Sequence, residues 1–176
     1  MVRVEIEGVV LNLLNNSPVV ILKSSGGRVL PIVVGIFEAQ AILLVLEEAS
    51  FPRPLTHDLM KNIIEGLGYR FLRLEIAGVK DNVYYANMVL RNGEDVRSID
   101  CRPSDGIALA LRFNAPVFAE EKLLEKVEIV KYYEGNKKFV RTKGLEKPIG
   151  KKEVENFRKV IENISAREFW EKLKKE

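Results

Sequence analysis

The chain has 176 residues, 47% of them hydrophobic and 30% charged, a composition that fits one compact domain burying about 70% of its unfolded surface and excludes a disordered chain. Its formal net charge of +3, from 28 basic and 25 acidic residues, says little about partners. A single cysteine and a single histidine exclude an internal disulfide and a multi-cysteine or multi-histidine zinc site within one chain, so any metal rests on carboxylates, which suits magnesium or manganese.

At the N-terminus, Arg3, Glu5 and Glu7 interrupt the apolar stretch that a secretory signal needs. The longest aliphatic run, Ala41 to Leu46, falls far short of the roughly 20 residues that span a bilayer, so a cytoplasmic protein without a membrane partner is expected. "VRVEIEGVVLN" alternates, and "SPVVILKSSGGRVLPIVVG" reads as two strands about a Ser-Ser-Gly-Gly turn, which predicts three opening strands. After Gly35 the period changes to that of a helix through Glu48, broken by Ser50-Phe-Pro-Arg-Pro. Thr56 is the expected N-cap of a second helix whose apolar face is Leu59, Met60, Ile63, Ile64 and Leu67.

"YRFLRLEIAGV", "NVYYANMVLR" and "EDVRSIDC" predict a three-stranded meander. "RPSDGIALALR" then reads as a third helix with Ser104 as N-cap and Asp105 in its first turn, almost without a polar face and therefore buried. "APVFA" is a short strand, "EEKLLEKV" a short helix, and "VEIVKYYEGNKKFVRT" a hairpin. Residues 131–152 carry eight basic side chains against Glu134 and Glu146, interleaved with Tyr132, Tyr133 and Phe139, a pattern that can follow a phosphate backbone or simply solvate a sheet edge. Residues 153–176 form a charge-balanced helical tail with Val154, Phe157, Ile161 and Ile164 at helical spacing and a capping box at Ser165. The expected organisation is a domain over 1–130, a basic hairpin or linker over 131–152 and the tail over 153–176. The expected fold is α+β: a mixed, largely antiparallel sheet with helices packed on it. "RPLTHDLMKNII" echoes "RPSDGIALAL", and "LPIVVGIFEAQAILLVLE" echoes "APVFAEEKLLE" more weakly, which suggests a degenerate internal duplication.

The residues suited to chemistry lie in first helical turns. Histidine suits proton transfer near neutral pH, and a neighbouring carboxylate can orient it or share a metal with it, so His57 and Asp58 stand out behind Arg53. Asp105 with Arg102 and Ser104 repeats the arrangement, because an arginine beside a helix N-terminus can bind a phosphate or hold the aspartate in a bidentate pair. Glu38 is a further carboxylate at a helix start, and Asp100 precedes Cys101, itself read as a small buried hydrophobe rather than a nucleophile. Each group also has a plain structural role as a cap or a dipole partner. No standard phosphate loop and no G-x-S-x-G elbow is present.

Leu30-Pro31-Ile32 with Gly35 and Glu38-Ala39-Gln40-Ala41-Ile42, then Arg53-Pro54-Leu55-Thr56-His57-Asp58-Leu59, then Asp100 through Ala110, taken in this order, resemble the bifunctional nuclease domain family over residues 3 to 130. The resemblance implies an α+β fold, nuclease activity on DNA and RNA as in plant members, and self-association into a dimer or higher homo-oligomer. It also implies alanine where this chain has Gly106, a departure expected to loosen the helix start, and the tail resembles the ending of prokaryotic members. Under the leading reading, Asp58, Asp105 and Glu38 hold a divalent cation, His57 with Asp58 and Asp105 carries the catalysis, and Arg53, Arg102 and Ser104 bind substrate. A rival reading is a non-catalytic nucleic-acid-binding or regulatory module on an oligomeric scaffold, with both Arg-Pro clusters as structural caps.

Overall fold

A computed structural model of the chain describes residues 1–11, 17–81, 83–125, 129–134 and 137–142. Branched and aliphatic residues at alternate positions of the opening strands turn Val20, Leu22, Leu30 and Ile32 to one face of a sheet, where they join one core. β1 (Val2–Leu11), β2 (Pro18–Ser24) and β3 (Val29–Val33) form an antiparallel meander, and α1 (Ile36–Leu46) follows. After α2 (Thr56–Gly66), a second antiparallel meander, β4 (Arg70–Lys80), β5 (Val83–Asn92) and β6 (Asp95–Cys101), leads into α3 (Pro103–Phe113). β7 (Val117–Ala119) runs antiparallel to β1 and parallel to β4, joining the two meanders into one seven-stranded mixed sheet in the order β3-β2-β1-β7-β4-β5-β6. A 3-10 turn, Glu121–Leu123, stands where a short helix was expected, and the backbone of β8 (Ile129–Glu134) and β9 (Lys137–Thr142) makes the expected hairpin. The tail over 153–176 lies outside the described residues.

The fold is α+β, and its topology repeats: a three-stranded meander followed by a helix occurs on each side of β7. This repeat pairs α1 with α3. The sequence echo points instead to α2 with α3 and to α1 with "APVFAEEKLLE", but β7 is a single central strand followed by the 3-10 turn Glu121–Leu123 and, among the described residues, by no α-helix. α3 is buried from Pro103 to Ala110 except at Asp105, as its nearly all-apolar sequence requires.

The helix starts differ from the sequence expectation in a consistent way. The N-cap residues are Gly35, Leu55 and Arg102, none with a side-chain cap, and each first turn carries an acid three positions on: Glu38, Asp58, which accepts from the Leu55 backbone N–H, and Asp105. Thr56 and Ser104 therefore sit inside their helices rather than capping them. A carboxylate in the first turn complements the positive end of the helix dipole, which is why the residue types still suit the place. α1 also stops at Leu46, two residues short, where Glu48 adopts a left-handed backbone (φ 53°).

Candidate active site

β6 delivers the chain to Arg102 at the start of α3, and the helical layer brings the starts of α1 and α2 beside it. The Arg102 guanidinium forks onto Asp105, with Nε donating to Oδ2 at 2.7 Å and Nη2 to Oδ1 at 3.1 Å. Its third nitrogen, Nη1, lies 2.9 Å from Glu38 Oε1 on α1. Asp105 Oδ1 is also 3.3 Å from His57 Nε2 on α2. Four of the seven expected site residues thus meet in one cluster drawn from three helix N-termini. His57, Asp105 and Glu38 retain 12%, 22% and 20% side-chain exposure while Arg102 retains 66%, so the cluster opens to solvent on its arginine side.

Two neighbouring carboxylates and the hydrogen bonds they accept hold the Arg102 guanidinium in its charged form, Asp105 more strongly than Glu38. An ionised Asp105 carboxylate can only accept, so against it His57 Nε2 is the donor of this contact, and Nδ1 makes no hydrogen bond among the described residues. Gly35 makes room for Glu38: a Cβ there would stand 2.1 Å from Glu38 Oε2, so only glycine lets this carboxylate fold back over its own helix start.

Asp58 does not join the cluster. Its Oδ1 accepts from Arg112 Nε at 2.6 Å and its Oδ2 from the Leu55 backbone N–H at 2.8 Å. Burial pushes this carboxyl up, but the Arg112 and Leu55 hydrogen bonds and the charges of Arg112 and His57 outweigh it and hold the group below the ordinary carboxylate range. Arg53 is exposed and pairs with no other described residue, and Ser104 is 7% exposed in the first turn of α3. Asp100 is exposed on β6. Burial, with Asp105 and Asp100 nearby, pushes the Cys101 thiol up to about 11, so it stays protonated at neutral pH.

The expected metal ligands do not form a set that fits a divalent cation. Arg102 occupies Glu38 and Asp105, Arg112 and Leu55 occupy Asp58, and among the described residues no three histidine, cysteine, aspartate or glutamate side chains gather as ligands. The residue that the sequence reading passed over is Arg112. Its side chain is 6% exposed and donates to Asp58, to the Ala108 carbonyl at 2.9 Å and to the Ala41 carbonyl at 3.0 Å. The available signal was one charge at the end of a helix too apolar to expose it, since a buried charge demands partners.

A profile of the bifunctional nuclease domain matches residues 20–131. An uncharacterized protein of Mycobacterium tuberculosis is 31% identical over 170 residues, covering 96% of this chain and 98% of its own length. Bifunctional nuclease 1 of Oryza sativa subsp. indica is 28% identical over 121 residues, 65% of this chain and 37% of that protein. Bifunctional nuclease 1 of Arabidopsis thaliana is 26% identical over 105 residues, 57% of this chain and 32% of that protein. The chain therefore spans about a third of these two plant relatives. Among the described residues no helix is long and apolar enough to cross a membrane.

Proposed function

The chain belongs to the bifunctional nuclease domain family, and on that premise we propose that it hydrolyses phosphodiester bonds of DNA and RNA where the three helix N-termini meet. The observation that carries the proposal is the convergence of His57 from α2 with Asp105 and Arg102 at the start of α3, at contacts of 3.3 Å and less. In this reading Asp105 orients the imidazole, Nδ1 of His57 takes a proton from the attacking water, and the exposed arginine fork grips a non-bridging phosphate oxygen. With His57 neutral, Glu38, Asp105 and Arg102 sum to one negative charge. The positive ends of three helices, about half a charge each, offset that and make an anion acceptable.

A phosphate must compete with Glu38 and Asp105 for Arg102, so substrate binding releases at least one of these pairs. Arg53 and Ser104 remain candidates for substrate contacts farther along the strand. Magnesium or manganese remains part of the proposal as an expectation, and no step is assigned to it, because the carboxylates meant to hold it are engaged by arginines.

One observation favours the rival reading of a nucleic-acid-binding or regulatory module: all three acidic first turns are already paired with arginines of the same chain. Cleavage of labelled single-stranded DNA and RNA with magnesium, manganese or EDTA separates the two. Cleavage supports hydrolysis, and the EDTA arm decides the metal. Binding that weakens steeply with salt, without cleavage under any condition, supports the module. The proposal also has the protein acting in the cytoplasm as a homo-oligomer, which sedimentation and cell fractionation check.

A further inference from the structure

None of the eleven residues of α2 is buried, although Met60 and Ile64 touch the core. Apolar packing alone therefore fixes the helix weakly, and polar links do much of the orienting. Apart from the His57 contact, both hydrogen-bonded links from α2 to α3 end on one residue: Asp58 accepts from Arg112 Nε at 2.6 Å, and Lys61 Nζ, which also lies over the Phe113 ring, donates to the Arg112 carbonyl at 2.9 Å. The same guanidinium reaches the Ala41 carbonyl of α1 and the Ala108 carbonyl of α3. A planar, rigid fork with acceptors on three helices sets their relative placement in a way that a flexible ammonium cannot.

We propose that Arg112 is a positioning residue for the His57 and Asp105 pair: by clamping Asp58 it fixes the first turn of α2 and thereby the imidazole next to it in sequence. Arg112 does not touch the reacting groups, since its contacts are Asp58 and two carbonyls. The inference rests on the proposed site for its functional meaning, but its primary test does not need activity.

His57 is the only histidine, so the nitrogen-15 shifts of one imidazole report its tautomer in the full chain. The wild type should show the Nε2–H tautomer, and Asp105→Ala should show the mixture of a free ring. Arg112→Lys keeps the charge and loses the fork, while Asp58→Asn keeps an oxygen for the Leu55 N–H and weakens the clamp. Both, folded by circular dichroism, should show the mixed tautomer. If the wild type cleaves nucleic acid, both should also lower kcat by about 10-fold or more with KM little changed, as a misaligned group does. A folded variant of either kind with the wild-type tautomer overturns the proposal. Failure of both variants to fold overturns it too, because Arg112 would then be structural only. A wild type without activity but with these shifts would sink the nuclease reading and leave the positioning role standing.

Discussion

Replacing Gly106 with alanine tests the packing beneath α3. A Cβ at this position would lie 2.4 Å from Leu74 Cδ1 and 3.0 Å from Cys101 Sγ, and Leu74 is fully buried. The space that a side chain would need at Gly106 is filled by a neighbouring leucine. Alanine gains about 1 kcal/mol of helix propensity, whereas forcing a methyl into a packed core costs about 1–3 kcal/mol. Gly106→Ala should therefore lose about 0–2 kcal/mol, a fall in Tm of up to about 8 °C for a chain of this size. Leu74→Val alone should cost roughly 1 kcal/mol by removing one carbon, and in the double variant the new methyl should occupy that volume. Urea unfolding of the four proteins should give a favourable coupling of about 1–3 kcal/mol. A gain of stability from Gly106→Ala alone, with the two changes additive within about 0.5 kcal/mol, would refute the argument.

Gly35→Ala should expel the Glu38 carboxylate from its place over α1, so Gly35→Ala and Glu38→Ala should each cost about 1 kcal/mol in urea unfolding and their double variant no more than either. Full additivity would contradict it. The lowered Asp58 value means that its contribution to stability is complete above the ordinary 3.8 and is lost as pH falls through the lower folded-state value. The stability gap between wild type and Asp58→Asn should accordingly narrow between pH 7 and about pH 2, and a constant gap would count against the Arg112 pairing. With its thiol at about 11 rather than 9.0, Cys101 in the folded protein should react with iodoacetamide near pH 8 about 100-fold more slowly than a free thiol, and equal rates would contradict the burial.

Alternation in the two meanders and the apolar run of α3 made the sheet and its buried helix legible, because period and burial are local properties of the sequence. The caps were misplaced for an equally local reason: Thr56 and Ser104 have capping side chains, yet both lie inside their helices, one step or more past the cap residues Leu55 and Arg102. The cluster itself was legible only as residue types. That His57 meets Asp105 across 48 positions, and Asp58 meets Arg112 across 54, follows from how the helices lie on the sheet, which no spacing in the chain records. Asp58 beside His57 in sequence looked like its partner, but adjacent residues on a helix point about 100° apart.

The central claim is that His57 and Asp105 act together on a phosphodiester. Its most direct test is the single-turnover cleavage rate of one labelled strand by wild type, His57→Ala, Asp105→Asn and the double variant, purified in parallel and shown to be folded. Each single change should lower the rate by about 100-fold or more, with the double variant no slower than the worse single one, as residues acting as a unit require. Rates unchanged in all four proteins would contradict the account.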